Sequence, residues 1–262
     1  DDHRPNARHR YTTTTGILRR FKLLRLLYFH IYGFETRCHT RRRFNIYLLM
    51  THIHQLTYGP FAENTYLIAD DDGNALVIDP GMYFPEENAR MFEYLNAQQL
   101  RPVRLVLTHA HLDHVFGVNW FHKNHNLTPE VNAEDKLVYD NAQAVAMQYG
   151  LSMEPLVAAN VGLEADSVFE FGGSTFRILF APGHSPGSVC FYNAEEKYVI
   201  GGDVLFQGSI GRTDLPGGDY DTLITSIKTQ VLTLPDDVLV YSGHGPLTTI
   251  GQERISNPYL QD

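Results

Sequence analysis

Cysteine is almost missing from this chain: Cys38 and Cys190 are the only two among 262 residues, far apart and outside any paired-cysteine motif. That scarcity argues against a disulfide framework and against a thiolate-built structural zinc knot. A reducing, cytoplasmic setting is the expectation. Long apolar runs are lacking too. The basic-apolar block from Ile17 onward is broken by Arg25 and His30, short of the ~18 uninterrupted residues a membrane span needs. Most of the chain also lacks positive charge. Residues 1–49 carry 11 Lys and Arg against 3 Asp and Glu, and the remainder carries 10 against 27, so a body at −17 lies behind a net charge of −9. An acidic body is a poor nucleic-acid binder, because phosphate neutralisation needs a basic surface. No nucleic-acid or membrane partner is expected.

The basic first segment admits three readings. It resembles an Arg-rich amphipathic presequence, or a membrane-surface helix with Arg19, Arg20, Lys22 and Arg25 on its polar side. The third is upstream sequence read by mistake, with Met50 the natural start. The excess of Arg over Lys, the absence of Met at position 1 and the change of composition at Met50-Thr51 favour the third. The expected division is a basic extension over 1–49, outside the fold, and one domain over 50–262.

What is abundant is histidine in one place. Thr108-His109-Ala110-His111-Leu112-Asp113-His114 packs three imidazoles and a carboxylate into six positions, directly after the apolar run Val103–Leu107. Imidazole with carboxylate suits divalent Zn, Fe or Mn, and a catalytic site rather than a closed structural one. In extended geometry His109, His111 and Asp113 would share a face. Bringing His114 to the same point needs a tight turn, which makes two adjacent metals plausible. The competing reading is a histidine-rich surface loop with no function.

Around that stretch the pattern is layered α/β. Strands are expected at Ile53–Leu56, Thr65–Ala69 and Ala75–Ile78, with Gly73 and Asn74 supplying positive φ in the intervening turn. A helix begins near Pro85, with Glu86 and Glu87 at its positive end. A second runs from Val115 to about His125, with Val118, Phe121 and His122 facing the sheet, and a third spans Glu134–Tyr149. The stretch 150–166 is irregular and reads as a flap. A hairpin about Gly172-Gly173 leads into Pro182-Gly183-His184-Ser185-Pro186-Gly187, and two later strands end in Gly202-Asp203 and Gly243-His244-Gly245-Pro246. Between them a helix over Tyr220–Leu232 carries Leu223, Ile224, Ile227 and Val231 on one face. Four times, an apolar strand ends in a glycine or threonine turn bearing His or Asp.

In this order the His-x-His-x-Asp-His stretch, Pro-Gly-His-Ser-Pro-Gly-Ser, Gly-Asp and Gly-His-Gly-Pro resemble the metallo-β-lactamase superfamily, from about Gln55 to Tyr259. The resemblance implies an α/β protein, a four-layer αββα sandwich with its metals at one edge. It implies His109, His111 and His184 on a first metal and Asp113, His114 and His244 on a second. Asp203 bridges them, and Asp79 supports the ligands from behind. Asp113 and Asp203 are then the catalytic carboxylates. The implied cofactor is two divalent ions per chain, zinc first, with iron or manganese as alternatives.

Within the superfamily, Gly245–Glu253 and Asn257-Pro258-Tyr259 are similar to the glyoxalase II (hydroxyacylglutathione hydrolase) branch in its short single-domain form. This implies hydrolysis of a small-molecule thioester, S-lactoylglutathione or a similar acyl thioester. Two cations ~3.5–4 Å apart generate hydroxide near neutral pH and polarise the carbonyl. A leaving thiolate with pKa near ~8.5 departs with little help from an acid. Two departures bear on the thiol: the branch's basic helical C-terminal domain has no counterpart before Asp262, and Asp214 stands where the branch has an aromatic. Arg212 either meets an anionic substrate or pairs with Asp214 or Asp219.

The chief rival is a mononuclear iron persulfide dioxygenase, which shares Gly211-Arg212-Thr213-Asp214; the Gly-His-Gly-Pro ending favours the hydrolase. A β-lactamase of the class with Cys at the bridging position is disfavoured, because Cys190 precedes Asp203 and falls in a strand. An RNA-processing nuclease would want a basic face. A scaffold holding metals for folding alone remains a non-enzymatic reading. His52, His54, His122, His125 and Trp120 read as packing or surface groups, and Tyr149 and Phe206 as cleft or core. Oligomeric state is left open.

Overall fold

The structure, a computed structural model, describes residues 51–261, so the basic extension lies outside the described residues. The first sheet takes β1 (His52–Tyr58), β2 (Glu63–Ala69) and β3 (Asn74–Ile78) as an antiparallel set. After α1 (Pro85–Gln98), β4 (Arg101–Val106) joins in parallel. Two helices follow, α2 (Leu112–Val115) and α3 (Val118–His125), then β5 (Pro129–Val131) and α4 (Lys136–Gln148); β6 (Asn160–Val161) completes the sheet in the order β1 to β6.

The second sheet is built from β7 (Val168–Phe171), β8 (Ser174–Phe180), β9 (Val189–Asn193) and β10 (Tyr198–Gly202) as antiparallel neighbours. A small ribbon of β11 (Leu205–Phe206) and β12 (Ser209–Ile210) precedes α5 (Tyr220–Ser226). Then β13 (Leu239–Ser242) pairs parallel to β10, β14 (Thr248–Thr249) closes the edge, and α6 (Ile250–Ser256) follows.

Strand alternation decides the layers, because successive side chains point to opposite faces. On the first sheet Leu67, Val77 and Leu105 face Met91, Leu95, Val118, Phe121, Tyr139 and Ala142 of the helices. Their neighbours Tyr66, Ile68, Leu76, Ile78 and Val106 turn the other way, onto Phe176, Ile178, Val189, Phe191 and Ile200 of the second sheet. That sheet's outer residues Leu179, Val199 and Val240 meet Leu223, Ile227, Val231 and Ile250. Four layers result, helix–sheet–sheet–helix, as a strand covered on both faces requires.

Several local expectations are corrected. The expected helix from Val115 starts earlier and breaks, α2 ending before Gly117 and α3 starting at Val118. A Cβ at Gly117 would lie 2.9 Å from the Met82 sulfur, and its N–H donates to the Pro80 carbonyl at 2.7 Å, so close packing of two loops interrupts the helix. Asn74 is the first residue of β3, leaving Gly73 (φ +78°) alone in the left-handed region. The helix expected from Glu134 opens as a 3₁₀ turn at Ala133–Asp135, and the one expected over Tyr220–Leu232 widens to a π turn at Ile227–Val231. Residues 150–166 are no free flap. Asn119, Gln143 and Tyr139 donate to the carbonyls of Pro155, Met153 and Val157, and Met153, Leu156 and Val157 pack on the helical core.

Leu105 is fully buried between sheet and helices. Leu105→Ala is expected to cost ~2–5 kcal/mol of stability, read as a lowered urea midpoint at unchanged slope; a loss under ~1 kcal/mol would contradict this packing.

Candidate metal centre

The strands' carboxyl ends bring the polar residues together. β3 delivers Asp79, β4 delivers Thr108 and His109, β8 leads to His184, β10 ends at Asp203 and β13 leads to His244. His111 precedes α2, and the helical turn Leu112–Val115 swings Asp113 and His114 back toward His109. Backbone specialisation accompanies this convergence. Asp79 sits at φ +51°, a conformation uncommon for any side chain but glycine. A Cβ at Gly243 would lie 2.2 Å from Asp203 Oδ1, so only glycine lets β13 pass the carboxylate.

Two sets of donor atoms form. In the first, His184 Nε2 lies 2.8 Å from His111 Nδ1 and 3.2 Å from His109 Nε2. In the second, His244 Nε2 lies 3.1 Å from Asp113 Oδ2, and His114 Nε2 lies 3.9 Å from the same oxygen. Asp203 stands between, Oδ2 at 3.5 Å from His184 and 3.4 Å from His244, and Oδ1 at 3.5 Å from His114. Each triad holds its donor atoms within 4.8 Å of one another.

The outer hydrogen bonds fix the imidazoles. Nδ1 of His184 donates to the Arg212 carbonyl at 2.7 Å and that of His244 to the Phe61 carbonyl at 3.1 Å. Asp79 Oδ2 lies 3.1 Å from His114 Nδ1 and accepts from Thr108 Oγ1, which in turn lies 3.1 Å from His109 Nδ1. Four rings are thereby turned Nε2-inward, the arrangement metal-bound imidazoles use. His111 is reversed and offers Nδ1.

A cation fits this set. Lone pairs 2.8 and 3.2 Å apart repel unless a proton or metal lies between them, and tetrahedral ligands at ~2.0–2.1 Å from zinc lie about 3.3 Å apart. His114 Nε2 and Asp203 Oδ1 are moreover buried without a hydrogen-bond partner, an arrangement native proteins rarely leave uncompensated. Burial, reinforced by neighbouring imidazoles, holds His109 well below the ordinary histidine range and brings His111 down to about 3, so both are neutral lone-pair donors at pH 7. Burial also opposes charge on His114, but Asp203 and Asp113 outweigh it and hold its pKa up. On Asp203 burial is overcome by His114, and the carboxyl is held down. The chain thus balances its carboxylates with protons that a cation would displace.

Two acids have no signal in the sequence. Asp135 accepts from Ala110 N, Ser185 Oγ and Gly187 N, each at 2.6 Å, and so ties the loops of His109–His111 and His184 together. Glu63 is fully buried 3.9 Å from His114 Nδ1; burial first, then Asp79, push its carboxyl well up, against the pull of His114. Neither belongs to a motif, so nothing local marks it. Beside them Asn64 grips the His244 loop through the Ser242 and Gly245 carbonyls.

The other singled-out histidines stay apart: His54 meets Tyr94 Oη, His122 the Leu127 carbonyl, His125 the rings of Trp120 and Phe121, and His52 is exposed near Asp71. The donor sets open onto a cleft of about 810 Å³ that Tyr149, Phe206 and Arg212 line. The Arg212 guanidinium pairs with both oxygens of Asp214 at 2.7 Å. No helix among the described residues is long and apolar enough to cross a membrane.

Such a donor set at the edge of an αββα sandwich is a candidate metal centre in a protein of α/β class. Residues 58–244 match the Metallo-beta-lactamase superfamily, and the chain belongs to it. A curated relative from Haemophilus influenzae, the hydroxyacylglutathione hydrolase GloC, is 42% identical over 204 residues, 76% of this chain and 93% of the relative. Among solved structures, the BLEG-1 B3 metallo-beta-lactamase aligns at TM-score 0.74 with 37% identity, covering 80% of this chain and all of the other. TTHA1623 in a di-iron-bound form aligns at 0.71 with 38% identity, covering 79% and 100%. ETHE1 from Myxococcus xanthus aligns at 0.65 with 26% identity, covering 79% and 83%.

Asp135→Ala is expected to weaken metal affinity ~10–100-fold, measured by chelator competition. Cation binding should release protons and tighten as pH rises from 5 to 8, because His114, with its raised pKa, competes through its proton. Calorimetry in buffers of different ionisation enthalpy reads that release; none, or weaker binding at higher pH, would contradict the arrangement.

Proposed function

We propose that this chain hydrolyses a thioester at a two-cation centre. His109, His111 and His184 would hold one cation, Asp113, His114 and His244 the other, with Asp203 placed between the two sets and Asp79 orienting His114 from behind. The observation that carries this reading is the shared Asp203 carboxylate, within 3.5 Å of both His184 and His244, at the floor of a substrate-sized cleft. The name of the Haemophilus influenzae relative supports the thioester.

When bound, the cations would supply an activated water near neutral pH and a Lewis acid for the carbonyl oxygen. The chain does the positioning. Asp113 and Asp203 face the cleft as acceptors that hold the attacking water's protons and aim its lone pair at the carbonyl carbon. Phe61, Tyr149 and Phe206 give the cleft an aromatic rim on one side of the donor sets. The C–S bond breaks with the thiolate leaving unprotonated, which its acidity permits. Zinc is the first metal to test and iron the next. Buried Cys190 stays a free thiol, and a reducing cytoplasm is where we place the protein.

A second reading, persulfide oxidation at a single iron, is favoured by Gly211-Arg212-Thr213-Asp214, and the ETHE1 likeness is compatible with it. Elemental analysis of natively loaded protein, with S-lactoylglutathione turnover followed at the thioester absorbance, separates the two. Near two metals per chain with turnover supports the hydrolase; one iron, no thioester cleavage and oxygen uptake with glutathione persulfide overturns it. Asp203→Ala should lower kcat/KM more than ~100-fold, beyond the loss of an outer hydrogen-bond partner, while circular dichroism keeps the fold. A metal-stabilised scaffold has no turnover to lose and would show only a lowered Tm.

A further inference from the structure

The cleft beside the donor sets has a chemistry of its own. One wall is α4, whose Leu137, Asn141, Ala144, Val145 and Gln148 line it at helical spacing, while Tyr139, Ala142 and Ala146 on the opposite face are buried in the core. From Leu137 to Gln148 this wall runs roughly 16 Å. Facing it are Pro186, Phe206, Ile210, Leu215 and Pro216. Phe61 and Tyr149 meet edge to face at 6.0 Å beside His244, whose Nδ1 donates to the Phe61 carbonyl. Leu137 is 74% exposed and Tyr149 48%, so large apolar groups stand open to solvent where a surface helix would carry charge.

Charge is scarce there. Among the described residues Arg212 is the one Lys or Arg lining the cleft, it is paired with Asp214, and Glu134 on the same surface is acidic. A tripeptide thiol such as glutathione carries two carboxylates at neutral pH. The cleft offers them one cation, releasable because an exposed ion pair is weak.

We infer that the preferred substrate is a thioester with an extended apolar arm and at most one carboxylate, the arm lying along α4 between Leu137 and Leu215. This rests on the thioester-hydrolase reading for the reaction, and on the cleft alone for the arm. Acyl chain and thiol are both chemically able to supply that arm, and the test distinguishes them.

The metal-loaded full chain is assayed by thiol release on two series: acetyl to octanoyl thioesters of N-acetylcysteamine, and acetyl thioesters of ethanethiol to octanethiol. In parallel, thioether ketones of matching length, which cannot be hydrolysed, are titrated calorimetrically into metal-free protein. The expected result is a rise in kcat/KM of ~3-fold or more per methylene up to six carbons in one series, which identifies the arm, and a parallel tightening of the thioethers. Leu137→Asp should flatten both slopes, acting through KM rather than kcat. Flat slopes with acetyl thioester still cleaved overturn the inference and leave the hydrolase reading standing. So does a preference above ~10-fold for a glutathione thioester over its N-acetylcysteamine counterpart. If no thioester is cleaved but thioether binding tightens with length, the reaction assignment falls and the apolar subsite stands.

Discussion

The arrangement turns on the crowding of lone pairs at one edge of the sandwich. Seven donor side chains meet where five strands end, some nitrogen pairs closer than 3.3 Å, and the cost of that crowding is relieved by a proton or a cation between them. Rigidity is what makes the crowding sustainable. β2 and β3 are buried on both faces, so their ends cannot drift apart to relieve the repulsion. Asp79 then links two of the strand ends, its carboxylate accepting from Thr108 N at 2.7 Å and facing His114 at 3.1 Å. Asn64 does the same between β2 and the His244 loop. Sheet packing, outer hydrogen bonds and donor geometry are therefore one system.

Much of this is legible from residue order. Clustered imidazoles and carboxylates are chemically conspicuous, and each cluster follows the junction of an apolar run with a glycine or threonine turn, so residue order alone places the strand ends. The layers are legible because Tyr66, Leu67 and Ile68 form a run apolar on both faces. What escapes depends on partners remote in the chain. Asp135 bonds Ser185 and Gly187, some fifty residues on, and resembles any acid at a helix start. Glu63 has no periodicity or motif, and its importance lies in being buried behind His114. The mistaken flap at 150–166 has the same cause: its composition is that of a loop, and the groups that pin it are Asn119, Tyr139 and Gln143 on distant helices. The break at Gly117 follows from Met82 and Pro80, which no helical periodicity encodes.

The helix α4 connects the chemistry of the centre to the shape of the cleft through physical contact. Asp135, the residue immediately before it, holds both the Ala110 backbone and the Ser185–Gly187 loop, so the helix starts from the same anchor that spaces the histidines. Its inner face is fixed by Tyr139, Ala142 and Ala146. Among the described residues Leu137, Ala144 and Val145 on its outer face make no hydrogen bond to the donor sets through their side chains, which are hydrocarbon. A fold built this way places the donor groups on the strand ends and most of one cleft wall on a single helix face, two parts of the chain that can vary separately. Members of a superfamily sharing every donor residue can on that principle act on different molecules. In this chain the helix face toward the cleft combines Leu137, Ala144 and Val145 with the uncharged amides of Asn141 and Gln148, and the wall opposite is built largely of Pro186, Phe206, Ile210, Leu215 and Pro216, so the surroundings of the cleft differ in chemistry from the imidazoles and carboxylates at its floor.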